Sequence, residues 1–231
     1  MIIETRTQRP APSGLLLKTP VIAVLRASHA REYLPVIDAL VRGGISTIEL
    51  TLSTEGVFDA LPLLVREFGS EAEIGVGTIT SGNQANRALA GGAAFLVTPT
   101  MNIEVLKSCA ARGIPVYPGG LTPTELLEGW NAGATAVKVF PASTVGPGYL
   151  AQLRGPFPDI QVIPSGGVGT ADAIAWIEAG AMAVSIGSPL LQDVFDSADL
   201  AGLAKRADDL TARVAESLAA RNGKMMTGGQ R

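Results

Sequence analysis

The sequence predicts an α/β protein in which eight parallel strands alternate with helices and close on themselves. Three observations carry that expectation. Short apolar, β-branched runs recur eight times from Val21 onward, and most of the longer segments between them show helical spacing of apolar residues. Most of those segments end at glycine, the usual stop signal of a helix. The 231 residues would suffice for two small domains but also lie within the range of one closed barrel, and no linker divides them. The fold class is therefore a single (β/α)8 TIM barrel over residues 21–222. Residues 1–20 form an N-terminal tail ending in a short capping helix, and 223–231 form a flexible C-terminal tail.

The elements follow in order. Residues 13–19 read as a short helix closing the bottom of the barrel. The first strand, VIAVLR (21–26), leads into AREYLPVIDALVRGG; the second, TIELTL (47–52), into TEGVFDALPLLVREFG. The third, EIGVGTI (73–79), precedes SGNQANRALAGGA, and the fourth, FLVTPT (95–100), precedes NIEVLKSCAARG. The fifth, PVYPGG (115–120), leads to TPTELLEGWNAGA. The sixth, AVKVFPA (136–142), leads to a segment broken by Gly and Pro, STVGPGYLAQLRGPFPD, whose helix should be short. The seventh, QVIPSGG (161–167), is followed by TADAIAWIEAGA, and the eighth, MAVSIGS (182–188), by the amphipathic run LAGLAKRADDLTARVAESLAARNG. KMMTGGQR beyond it has no packing pattern. An open doubly wound sheet is the alternative. GVGTIT (75–80) begins like a dinucleotide fingerprint, but it lacks the third glycine and the later acidic residue.

Composition narrows the function. The chain is 47% hydrophobic and 17% charged with a net charge of -3, so it carries no basic footprint for nucleic acid. No stretch reaches membrane-spanning length. The single cysteine, Cys109, reads as a buried helix residue, which fits a reducing, cytoplasmic setting. The single histidine, His29, has no partners at metal-ligand spacing, and Glu49 has no neighbouring acid or His of that kind, so no metal is expected.

The charged residues inside strands point to chemistry. Alternation puts Ala136, Lys138 and Phe140 on one face of the sixth strand and Val137 and Val139 on the other. Glu49 and Thr51 share a face of the second strand, Arg26 ends the first, Thr78 lies in the third past Val76, and Thr98 and Thr100 lie in the fourth. Barrel active sites assemble at the C-terminal ends of strands, where a lysine, a glutamate, an arginine and hydroxyls would converge. A silent Lys138–Glu49 ion pair is the structural alternative, a poor stability device because burying both charges costs desolvation. PSGGV (164–168) and IGSP (186–189) follow the seventh and eighth strands, where barrels commonly hold a phosphate on backbone amides; Ser165 and Ser188 add hydroxyls.

Taken in order, GGISTIELTLST, EIGVGTI, FLVTPT, VYPGG, AVKVFPA, GPGYLAQLRGPFPD, IPSGGV and IGSPL show that the chain resembles the class I 2-keto-3-deoxy-6-phosphogluconate and 2-keto-3-deoxy-6-phosphogalactonate aldolases. That family includes the 4-hydroxy-2-oxoglutarate aldolases. The resemblance implies that Lys138 forms a Schiff base, Glu49 transfers protons, and Thr78 holds the pyruvyl carboxylate beside Phe140. It places the substrate phosphate on Ser165, Gly166, Gly167, Gly187 and Ser188. Arg26 and Thr100 complete the expected carboxylate and pyruvyl contacts. No cofactor is implied; the partners are a phosphorylated 2-keto-3-deoxy sugar acid, pyruvate and glyceraldehyde 3-phosphate, and the usual assembly is a homotrimer. Gluconate-type members often read TLRT where this chain reads TLST, with Ser53 in place of the arginine, which leaves the gluconate, galactonate and 4-hydroxy-2-oxoglutarate activities open. A phosphosugar isomerase or epimerase and a non-catalytic barrel are the readings from other classes.

Overall fold

The computed structural model describes residues 9–228, with side chains through 221. Nine parallel strands are β1 Val21–Leu25, β2 Thr47–Thr51, β3 Glu73–Gly77, β4 Leu96–Val97, β5 Val116–Tyr117, β6 Gly119–Gly120, β7 Val137–Val139, β8 Val162–Pro164 and β9 Val184–Ile186. The α-helices are α1 Gly14–Lys18, α2 Tyr33–Arg42, α3 Val57–Phe68, α4 Gly82–Ala90, α5 Ile103–Ala110, α6 Pro123–Asn131, α7 Gly148–Arg154, α8 Thr170–Glu178, α9 Ser188–Leu191, α10 Val194–Ser197 and α11 Leu200–Gly228.

The strands pair as β5-β4-β3-β2-β1-β9 and as β6-β7-β8. The expected fifth strand is thus two short ones. Pro118 has no N–H to give to a ladder, so Val116 and Tyr117 pair with β4 while Gly119 and Gly120 pair with β7. The same stretch of chain therefore joins the two sheets. At the opposite seam the Met182 N–H donates to Val162 O at 2.9 Å, and the Ser165 hydroxyl donates to that of Ser185 at 3.3 Å. Those contacts close the ring as the (β/α)8 barrel.

Alternation along each strand separates two apolar layers. Val137, Val139, Leu50, Val76 and Val184 face outward and pack under the helices, with Leu40, Leu61 and Trp176 among the buried helix residues. Ile22, Phe95, Val97, Tyr117, Ala136, Ile163 and Ala183 face inward and pack with Leu16 of α1. That helix plugs the N-terminal end of the barrel. Its cap residue Ser13 accepts from the Leu16 N–H and donates to Glu73 Oε1 at 2.7 Å, and Thr47 Oγ1 donates to the same oxygen at 2.7 Å. One end of the lumen is filled, so the other end is where a cavity can open.

The sixth connection is short, as its Gly and Pro content predicts: a 3₁₀ turn at Ala142–Thr144 and then α7. The last helix runs to Gly228, past position 223 where the flexible tail is expected; Lys224, Met225 and Met226 are good helix formers and carry the backbone across Gly223. Residues 1–8 and 229–231 of the two expected tails lie outside the described residues. Among the described residues no helix is long and apolar enough to cross a membrane.

Candidate active site

A cavity of about 520 Å³ opens at the C-terminal ends of the strands. The strand register fixes the neighbours of its central residues. Val24 pairs with Glu49 and Glu49 with Gly75, while Lys138 lies between Gly119 and Ile163. Lys138 and Glu49 both line the cavity and are 8% and 1% exposed. Among the described residues the ion pairs are Arg42–Asp38, Lys205–Asp209 and Arg206–Asp199, so Lys138 and Glu49 make no direct salt bridge. The Lys138 ammonium nitrogen instead stands 5.0 Å from the centroid of the Phe140 ring.

Glu49 Oε2 is buried without a hydrogen-bond partner. Burial pushes its carboxyl above the ordinary value of 4.5; the charges of Lys138 and Arg26 pull the other way and are outweighed. A carboxyl held in that state beside a cavity is suited to giving and taking a proton. Its place is made by glycine. A Cβ on Gly77 would lie 1.8 Å from Glu49 Oε1, and one on Gly75 would lie 2.4 Å from the Phe95 ring. The two glycines of GVGT therefore face inward to leave room for a carboxylate and a ring.

Arg26 is exposed and lines the cavity. Thr78 lines it too, against strict alternation from outward-facing Val76: its φ of 61° is a left-handed value that a β-branched residue rarely takes, and the turn redirects it. Phe140, 38% exposed, forms part of the wall. Ser165, Gly166 and Gly167 lie on one side of the cavity and Gly187 and Ser188 on the adjacent side. Gly166 and Gly167 hold φ of 84° and 71°, and a Cβ there would meet the Phe140 ring at 2.8 Å and Ser143 Oγ at 2.6 Å. This tight loop can offer backbone N–H groups to an anion.

Thr100 is a correction. Phe95 and Val97 point inward, so alternation places Pro99 on the cavity wall; Thr100 is exposed and away from it, and its carbonyl accepts from the Thr98 hydroxyl at 2.6 Å. Ser53 is exposed and bonds the Thr51 hydroxyl at 3.0 Å rather than lining the cavity. Three polar wall residues stand outside the expected site set: Thr51, Ser185 and Gln192. Ser185 was legible, since it shares the parity of Gly187 on the eighth run, and Thr51 shares that of Glu49. Gln192 lies in the connection after β9, where no periodicity guides a prediction.

The lone histidine and cysteine have structural places. His29 caps the 3₁₀ turn Ala30–Glu32: its Nδ1 accepts from the Arg31 N–H, and its own N–H donates to Glu32 Oε1. Cys109 is fully buried in α5. Among the described residues no three His, Cys, Asp or Glu side chains gather as a metal site.

Residues 14–205 match the family model described as "Aldolase: KDPG and KHG aldolase". The 2-dehydro-3-deoxy-6-phosphogalactonate aldolase of Escherichia coli is 34% identical over 174 residues, covering 75% of this chain and 85% of the relative. The solved native KDPGal structure superposes with a TM-score of 0.80 at 30% identity, covering 87% of this chain and 96% of that one. A KDPG aldolase from Legionella pneumophila, solved with pyruvate captured as a covalent carbinolamine intermediate, gives 0.77 at 29% identity, covering 85% and 96%. With the match spanning most of the barrel and every strand that lines the cavity, the chain belongs to the KDPG and KHG aldolase family of class I, metal-independent carbon-carbon lyases.

Proposed function

We propose that the protein cleaves 2-keto-3-deoxy-6-phosphogluconate reversibly to pyruvate and D-glyceraldehyde 3-phosphate through a Schiff base on Lys138. The observation that carries this reading is a nearly buried lysine and a buried, unpartnered carboxylate lining one cavity, with no salt bridge to neutralise either. A structural ion pair would have formed that bridge.

In the mechanism the Lys138 amine adds to C2 of the keto acid, and the carbinolamine loses water to a protonated imine. That imine accepts the electron pair of the C3–C4 bond as the bond breaks. Glu49 takes the proton of the C4 hydroxyl, so the C4 carbon leaves as the aldehyde and an enamine remains. Glu49 returns the proton to C3, and water then hydrolyses the imine to release pyruvate and the free amine. Arg26 and Thr78 hold the pyruvyl carboxylate, and Phe140 covers the apolar side of the C3 unit. The loop of Ser165, Gly166 and Gly167, with Gly187 and Ser188, receives the phosphate.

The C4 epimer, 2-keto-3-deoxy-6-phosphogalactonate, is the second reading. It is favoured by Ser53, which stands off the cavity and leaves Arg26 as the arginine there, and by the 34% identity to the galactonate enzyme of Escherichia coli. Pyruvate release from the two epimers and from 4-hydroxy-2-oxoglutarate, measured side by side, tests both. The proposal expects the highest kcat/KM on the gluconate substrate. Preference for the galactonate epimer would install the second reading, and no release from any of the three would refute the aldolase assignment.

A further inference from the structure

Among the described residues three besides glycine hold a positive φ: Thr78, Gln192 and Ala198. Ala198 ends α10 in ordinary left-handed geometry with ψ 25° and does not line the cavity. Gln192 is different. Its φ of 52° and ψ of -126° fall where glycine is at ease and a residue with a Cβ is strained, and it lines the cavity. Its N–H donates to Ser188 O at 2.7 Å, which ends α9 and turns the chain so that residue 192 shares a wall with Gly187 and Ser188. The side-chain amide of Gln192 has no hydrogen-bond partner among the described residues.

That wall is short of donors. Pro189 has no N–H, and the N–H groups of Leu190 and Leu191 both donate to Gly187 O. The cationic residues lining the cavity are Arg26 and Lys138, which the mechanism engages at the pyruvyl end. A phosphate arriving at Gly187 and Ser188 thus meets a few backbone amides, hydroxyls and whatever residue 192 presents.

We infer that Gln192 is a specificity-determining residue whose side-chain amide donates to the distal phosphate of the substrate. The inference rests on the aldolase reading above. The strained backbone puts residue 192 on the phosphate wall, where glycine would offer no side-chain donor.

The test compares kcat/KM on 2-keto-3-deoxy-6-phosphogluconate with kcat/KM on its dephosphorylated counterpart, in wild type, Gln192→Gly and Gln192→Glu. Loss of one hydrogen bond to a charged group lowers the phosphorylated-to-dephosphorylated ratio about ten-fold in Gln192→Gly. Gln192→Glu, nearly isosteric but negative, lowers it further by repelling the phosphate. An unchanged ratio in either variant overturns the assignment, as does an equal loss on both substrates. Borohydride trapping of pyruvate on Lys138 in all three proteins separates the two levels. Normal trapping with an unchanged ratio removes only the role of Gln192, whereas no trapping in wild type removes the aldolase reading and this inference with it.

Discussion

Gly77→Ala should silence the enzyme while leaving the barrel folded. The backbone of Gly77 has no positive φ, so alanine meets no conformational penalty there. What it meets is the Glu49 side chain: the new methyl would lie 1.8 Å from Oε1, 2.4 Å from Cδ and 2.7 Å from Cγ. An ordinary contact begins near 3.5 Å, so the carboxylate has to retreat by roughly 1.7 Å. The neighbouring cavity of about 520 Å³ gives it somewhere to go, which keeps the cost in stability small. Catalysis has no such tolerance, since a displacement of about 1 Å at a reacting group costs on the order of 10²-fold. The assay is pyruvate release in a coupled reaction, with imine formation on Lys138 followed separately. The expected result is a kcat lower by about 10²-fold or more, with imine formation retained. Gly75→Ala is the control: it presses on the packed Phe95 ring, so it lowers the melting temperature through overpacking worth about 1–3 kcal/mol. A Gly77→Ala enzyme within a few-fold of wild type would refute the idea that this glycine positions Glu49.

Two further outcomes follow from burial. Because burial raises the Glu49 pKa, the folded protein holds that proton more tightly than the unfolded chain does. The associated stability is present below the ordinary value of 4.5 and is lost as pH rises through the raised folded value. Glu49→Gln should therefore gain melting temperature relative to wild type more at pH 7 than at pH 4 while losing 10² to 10⁴ in turnover, an order-of-magnitude range for a lost acid-base group; a pH-independent difference would contradict the assigned desolvation. Burial likewise pushes the Cys109 thiol up to about 12. An aromatic disulfide reagent at pH 8 should leave the native protein unlabelled and modify one thiol per chain in denaturant, and rapid native labelling would place Cys109 elsewhere than in the packed interior of α5.

Where a strand alternates cleanly, the sequence alone shows which side chains enter the lumen. Lys138 sits between two outward valines and Glu49 between Ile48 and Leu50, so period two was enough to turn both inward. Thr100 failed for the same reason in reverse, because the inward parity of the fourth strand is set by Phe95 and Val97 and is continued by Pro99. Thr78 lines the cavity although alternation from Val76 would have turned it outward; its left-handed backbone brings it in. The split fifth strand reflects Pro118, a local breaker visible in the sequence whose effect on strand pairing depends on the neighbours at each side. Gln192 lay beyond reach, since its place depends on how a four-residue helix ends.

The central claim is imine chemistry at Lys138, and its most direct test is borohydride reduction in the presence of pyruvate followed by peptide mass spectrometry. The account predicts a reduced pyruvyl adduct on the peptide carrying Lys138, and none on that peptide in Lys138→Ala. No adduct in folded wild-type protein, or an adduct confined to a different lysine, would contradict it.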